Sequence, residues 1–152
     1  AWWQAKSMLS KKNPALEMPM DFSLTFIAQN AFDSKANNNY LTDIYEDLAQ
    51  DFLYPNPYHT LTFLDNHDLP RFYSVIGEDT AKYKVALSWL LTFRGVPQLY
   101  YGNENLMTGF TNPDGWVRLD FKGGWPGDKE NKFTAAGRTD KENAIFNHIR
   151  ED

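Results

Sequence analysis

The chain has 152 residues, of which 42% are hydrophobic and 16% aromatic, with a net charge of −5 and no cysteine. That is the length of one domain with enough apolar side chain for a core, so a disordered segment is excluded. An acidic balance without a basic stripe argues against nucleic acid as a ligand, and no apolar run approaches the roughly 18 residues of a membrane span.

In chain order, Ala1–Asn13 shows little periodicity and reads as a helix or loop that ends at Pro14. Leu16–Phe22 is a weak strand because Pro19 falls inside it. Leu24, Ile27, Ala28 and Ala31 then repeat at helical spacing, and Lys35–Tyr40, with three asparagines in a row, is a loop. Leu41, Ile44, Tyr45, Leu48 and Phe52 form the apolar stripe of an amphipathic helix. It breaks at Tyr54-Pro55-Asn56-Pro57, before a short apolar strand over Thr60–Leu64.

Asp79 is the expected N-cap of a helix over Thr80–Phe93, apolar on most sides and so largely buried. Arg94 in its last turn, Gly95 as a left-handed cap and Pro97 beyond it signal the stop. Val96–Tyr101 follows as a second buried strand. Helices alternating with strands predict an α/β fold with parallel strands. From Gly109 to Gly127 there are seven Gly or Pro residues, yet Trp116, Phe121, Trp125 and Phe133 argue for an ordered lid beside the strand ends. Thr139-Asp140-Lys141-Glu142 spells a capping box, and Ile145, Phe146 and Ile149 continue it as a helix.

The stretch that carries chemistry is Leu61–Arg71, LTFLDNHDLPR, in which a buried strand runs straight into Asp65, Asn66, His67 and Asp68. In parallel barrels the catalytic groups stand on the loops after the carboxyl ends of the strands. Turn capping by Asp65 or Asn66 is the competing explanation for the same letters. Arg71 either pairs with Asp65 or Asp68 or touches substrate; Trp116 and Trp125 either stack on sugar rings or fill the lid. His59 and His148 are read as surface residues, and Asp21 as a turn cap or a cleft residue. Neither a zinc-type ligand spacing nor an EF-hand loop occurs, so no metal site is expected. A His–Asp metal hydrolase built on His67 and Asp68 is set aside, since one turn cannot close such a site alone.

Two stretches taken together resemble the α-amylase family of glycoside hydrolases (family 13). Phe63-Leu64-Asp65-Asn66-His67-Asp68 resembles its fourth signature region, and Arg94-Gly95-Val96-Pro97-Gln98-Leu99-Tyr100-Tyr101-Gly102-Asn103-Glu104 its eighth-strand segment. DFKGGWPGD at Asp120–Asp128 and AAGRT at Ala135–Thr139 look like the neopullulanase and cyclomaltodextrinase branch. The resemblance implies a partial (β/α)8 TIM barrel, about the sixth to eighth βα units, with residues 1–152 as its C-terminal part. It also implies retaining cleavage of α-glucosidic bonds in starch-like oligosaccharides.

In that family the Asp matching Asp68 stabilises the distorted, positively charged sugar ring, and the His matching His67 donates to a sugar hydroxyl. On this basis Asp68 is the expected catalytic residue, with His67, Asn66, Arg71, Trp116 and Trp125 binding substrate. The family's nucleophile Asp and acid Glu belong to its fourth and fifth strands, and no Arg-x-Asp follows a strand here. The segment alone is therefore expected to be inactive and to bury its exposed sheet against the remainder of the barrel or another copy. No cofactor is expected, calcium elsewhere in a parent enzyme being compatible; periplasm and cytoplasm are both compatible compartments. The rival function is a stand-alone glucan-binding or assembly module.

Overall fold

The computed structural model describes residues 18–33 and 40–151. The expected Ala1–Asn13 segment and most of the Lys35–Tyr40 loop lie outside them. Helix α1 (Phe22–Phe32) starts at Asp21, whose carboxylate accepts from the Leu24 amide at 3.1 Å. The weak strand before it is reduced to one parallel bridge, Met20 to Leu61. Pro19 is tolerated there because only its carbonyl is used, accepting from Leu61 N at 2.9 Å.

Helix α2 (Tyr40–Leu48) packs against α1 and is followed by 3₁₀ turns at Asp51–Leu53 and Pro57–His59. Its apolar stripe buries Ile44, whereas Leu41, Tyr45 and Phe52 stay exposed. The amphipathic period was therefore right for the helix, but the covered face is narrower than the stripe.

Strand β1 (Leu61–Thr62) pairs in parallel with β2 (Val96–Pro97), Leu61 opposite Val96 and Thr62 opposite Pro97. Val96 N donates to Thr60 O at 2.8 Å and Gln98 N to Thr62 O at 2.7 Å, so Pro97 falls at the position that needs no donor. Both strands are shorter than expected. After Thr62 the next two carbonyls turn to α1 instead of a strand: Thr25 Oγ1 donates to Phe63 O (2.8 Å) and Gln29 Nε2 to Leu64 O (2.7 Å). Phe63 and Leu64 are buried, as expected of the central strand, but Val96 and Leu99 are exposed, so the second strand is not enclosed.

A short helix α3 (Phe72–Val75) leads to α4 (Thr80–Thr92), capped by Asp79 on the amides of Ala81 and Lys82. The core gathers Phe72, Tyr73 and Ile76 around Tyr83, Ala86, Leu87 and Leu90 of α4, with Ala28, Leu64 and Ile145. Val85 is exposed, so α4 is less enclosed than its sequence suggests. It ends at Phe93 in extended conformation, before Arg94 and Gly95, which therefore do not form its last turn.

Gly95 serves another purpose: at φ +99°, a Cβ there would lie 2.7 Å from Thr62 Cγ2 and 2.8 Å from Thr60 O. Gly95→Ala is expected to lower stability by at least about 1–2 kcal/mol from the backbone conformation alone, read as a shift in the urea midpoint. An unchanged midpoint would refute this account.

Helix α5 (Asp140–Glu151) begins at the expected capping box, Glu142 N donating to Thr139 Oγ1 (3.3 Å) and Thr139 N to Glu142 Oε2 (2.6 Å). It packs on α4 and on the 3₁₀ turn Asn103–Asn105. His148 is no free surface residue, since its Nε2 contacts Ser88 Oγ (3.0 Å) and Lys84 O (3.1 Å), joining α5 to α4; His59 is exposed as expected. No helix of the described residues is long and apolar enough to cross a membrane.

Candidate active site

The backbone leaving β1 stays buried through Phe63, Leu64, Asp65 and Asn66, surfaces at His67 and Asp68, and dives again at Arg71. Only the surfacing pair is offered outward, with side chains 62% and 61% exposed. His67 Nε2 and Asp68 Oδ2 lie 3.4 Å apart. Everything around them holds the loop in shape.

Asn66, 2% exposed, accepts from Asp68 N through its Oδ1 at 2.8 Å and so folds the turn. Asp65, 1% exposed, accepts from Phe72 N (2.7 Å) and from Asn103 Nδ2 (2.9 Å), tying the loop after β1 to the turn after β2. Burial pushes the Asp65 carboxyl above its ordinary range, against the pull of those two bonds and of Arg71.

Arg71 is fully enclosed. It donates through Nη1 to Tyr101 O, and its guanidinium lies 4.1 Å from the Tyr100 ring centre and 4.7 Å from that of Tyr101. Asn66 and Arg71, expected to bind substrate, are both buried and hold the loop in this structure. Both lie beneath the rim: Asn66 Oδ1 is taken by Asp68 N, and Arg71 bonds through Nη1 while its buried Nε and Nη2 have no hydrogen-bond partner among the described residues.

The lid supplies what the sequence did not announce. In the 3₁₀ turn Trp116–Arg118, Val117 is buried and anchors the turn. Arg118 Nε donates to His67 O (2.8 Å) and Nη2 to Asp68 Oδ1 (3.0 Å), with Asp114 a further 3.6 Å neighbour. Two further bonds reinforce the junction, one between backbones, Arg71 N to Gly109 O (2.9 Å), and one from a side chain, Tyr101 Oη to Leu119 O (2.8 Å). These bonds tie the glycine-rich segment expected as a lid to the loops that follow β1 and β2.

Trp116 and Trp125 are 56% and 63% exposed, so neither fills a lid core. Trp116 shares its turn with Arg118. Trp125 sits on a separate turn closed by Asp128, which accepts from Gly123 N (2.7 Å) and Trp125 N (3.1 Å). Those amide bonds hold the Asp128 carboxyl below its ordinary range.

A cavity of about 240 Å³, lined by Asn105, Met107, Phe121, Lys132 and Glu142 among others, shares no residue with the His67–Asp68 loop. Asp21, read as cap or cleft residue, is the cap: it is buried and paired with Arg94 at 3.1 Å. Among the described residues no three His, Asp or Glu side chains stand close enough to hold a metal ion.

His67 and Asp68 stand exposed after the carboxyl end of β1, the end at which parallel barrels carry their catalytic loops. The family model for the α-amylase catalytic domain matches residues 4–150. The chain belongs to the α-amylase family. Its parallel pair and flanking helices are part of that family's (β/α)8 barrel.

Among its relatives, the cyclomaltodextrin glucanotransferase of Bacillus sp. (strain 1011) is 39% identical over 101 residues, covering 66% of this chain and 14% of that protein. A solved cyclomaltodextrin glucanotransferase with a three-domain ABC distribution matches 98% of this chain and 27% of its own, at 28% identity and a TM-score of 0.66. The ligand-free cyclic α-maltosyl-(1→6)-maltose hydrolase of Arthrobacter globiformis covers 99% of this chain and 31% of its own, with a TM-score of 0.72 at 15% identity, a likeness of fold. This α-amylase-family chain thus spans about one seventh of the length of the curated relatives it matches.

Proposed function

We propose that the chain is the part of a retaining α-glucan hydrolase, of neopullulanase type, that carries the sugar-cation subsite. The observation behind this is the outward display of His67 and Asp68 on a loop whose other polar residues are all buried. In this reading Asp68 accepts sugar hydroxyls and offers its negative charge to a ring that becomes cationic as the bond breaks. His67 donates to a hydroxyl of the same ring. Trp116, in the turn beside them, offers a flat face for a neighbouring glucose unit.

The nucleophile and the general acid come, in this proposal, from other strands of the barrel. The exposed Val96 edge of β2 is a surface on which such strands would lie, or a second copy of the chain. The glucanotransferase relatives support a second reading, transfer of the glycosyl unit to another sugar instead of to water.

Titration of the full-length protein with maltotetraose tests the subsite. Asp68→Ala is expected to weaken binding at least tenfold while leaving the melting temperature within a few degrees, because Asp68 is exposed and sits above the core. Equal affinities would refute the assignment. Product analysis with and without added glucose separates hydrolysis from transfer.

A further inference from the structure

We infer that Arg118 is a positioning residue for Asp68, so that the lid, and not β1 alone, sets where the carboxylate points. This deepens the proposed function and rests on it for its catalytic consequence. From its own loop Asp68 receives support only at the backbone, through the Asn66 amide side chain. His67, at 3.4 Å from Oδ2, is too distant to lock the carboxylate. An acid that is 61% exposed on such a loop would rotate freely about its side-chain torsions.

Arg118 removes that freedom in a way that needs its fork. One nitrogen holds the loop backbone at His67 O while another holds Asp68 Oδ1, so the carboxylate is fixed relative to the peptide beneath it. A lysine, with a single nitrogen on a flexible stem, cannot reproduce both bonds in one plane.

The clamp itself stands on a firm mount. Val117 is fully buried beside it, Arg118 N closes the turn on Gly115 O at 2.8 Å, and Gly115 is left-handed at φ +96°. Gly109 passes so close to the turn that a Cβ would lie 2.7 Å from Trp116 O. With Oδ1 engaged by Arg118, Oδ2 is the oxygen left to meet a sugar.

The test uses the full-length protein. Arg118→Ala is expected to lower kcat on maltotetraose at least tenfold with KM changed less than threefold, and Arg118→Lys is expected to fall with it. In an Asp68→Asn background, Arg118→Ala should cost less than a further twofold, because the arginine acts through the acid. A crystal structure of Arg118→Ala should show the Asp68 carboxylate turned or split between rotamers over an unmoved β1.

Additive losses, rescue by lysine, or an unmoved carboxylate would each overturn the inference. Release of the carboxylate in the crystal without any turnover of α-glucan by the wild type would uphold the clamp and sink the proposed function instead.

Discussion

Asp68→Asn in the full-length protein is expected to lower kcat on maltooligosaccharides by about 10²–10³-fold, the cost of removing one preorganised electrostatic partner of a charged transition state. KM should change little, since the group's charge matters most once the ring has become cationic. The substitution is sterically neutral. It leaves the backbone bond from Asp68 N to Asn66 untouched, and the side chain is exposed, so folding is not expected to suffer. Rates within threefold of wild type would show that the outward acid serves something other than bond cleavage.

Arg94→Leu should have the largest effect on stability, about 3–5 kcal/mol at pH 7, the cost of removing the cation that three carboxylates share among the described residues. Arg94 lies 3.1 Å from Asp21 and 3.7 Å from Asp47. It also lies 2.7 Å from Asp51, in ion contact but off the hydrogen-bonding axis. Among the described residues, three carboxylates thus share one guanidinium.

Burial pushes both Asp47 and Asp51 above their ordinary value of 3.8; Ser23 and Arg94 pull Asp47 back, and Arg94 pulls Asp51 back. A carboxyl whose folded pKa is raised binds its proton more readily in the folded state. It therefore takes stability away as pH rises from 3.8 through its folded pKa, and the full penalty applies above that. Without Arg94 the two folded values climb further, so the deficit of Arg94→Leu should be larger at pH 7 than at pH 5. Urea melts at the two pH values measure it, with Arg94→Lys falling between the leucine variant and wild type. An equal deficit at both would mean that the arginine acts by packing alone.

Much of this architecture can be read from the sequence where a local rule decides it. Asp79 and the Thr139–Glu142 box cap their helices because the first turn of any helix needs acceptors, whatever lies around it. The strand before Asp65 could be recognised from its unbroken apolar run. Its length could not, because Thr25 and Gln29, nearly forty residues earlier, capture the carbonyls that would have extended it.

The site divides along the same line. His67 and Asp68 stand out by their position after a strand, whereas Asn66 and Arg71 share that position and are turned inward by Asp68 N and by Tyr100 and Tyr101. Arg118 gave no signal at all. Its partners are fifty residues away in sequence, and one arginine in a glycine-rich lid looks like any other until the chain is folded. The wide apolar stripe of α2 misled for a related reason, since periodicity marks what can be covered and not what is.

The capture of the Phe63 and Leu64 carbonyls by Thr25 and Gln29 has a practical corollary for barrel engineering. The place where the His67–Asp68 loop departs is set by helix α1, through Thr25 and Gln29, and not by the loop's own letters. A graft of residues 65–71 into a foreign scaffold would inherit the chemistry but not the departure point unless a hydroxyl and an amide travelled with it at the matching helix positions. The portable unit here is α1 together with β1 and the loop that leaves that strand.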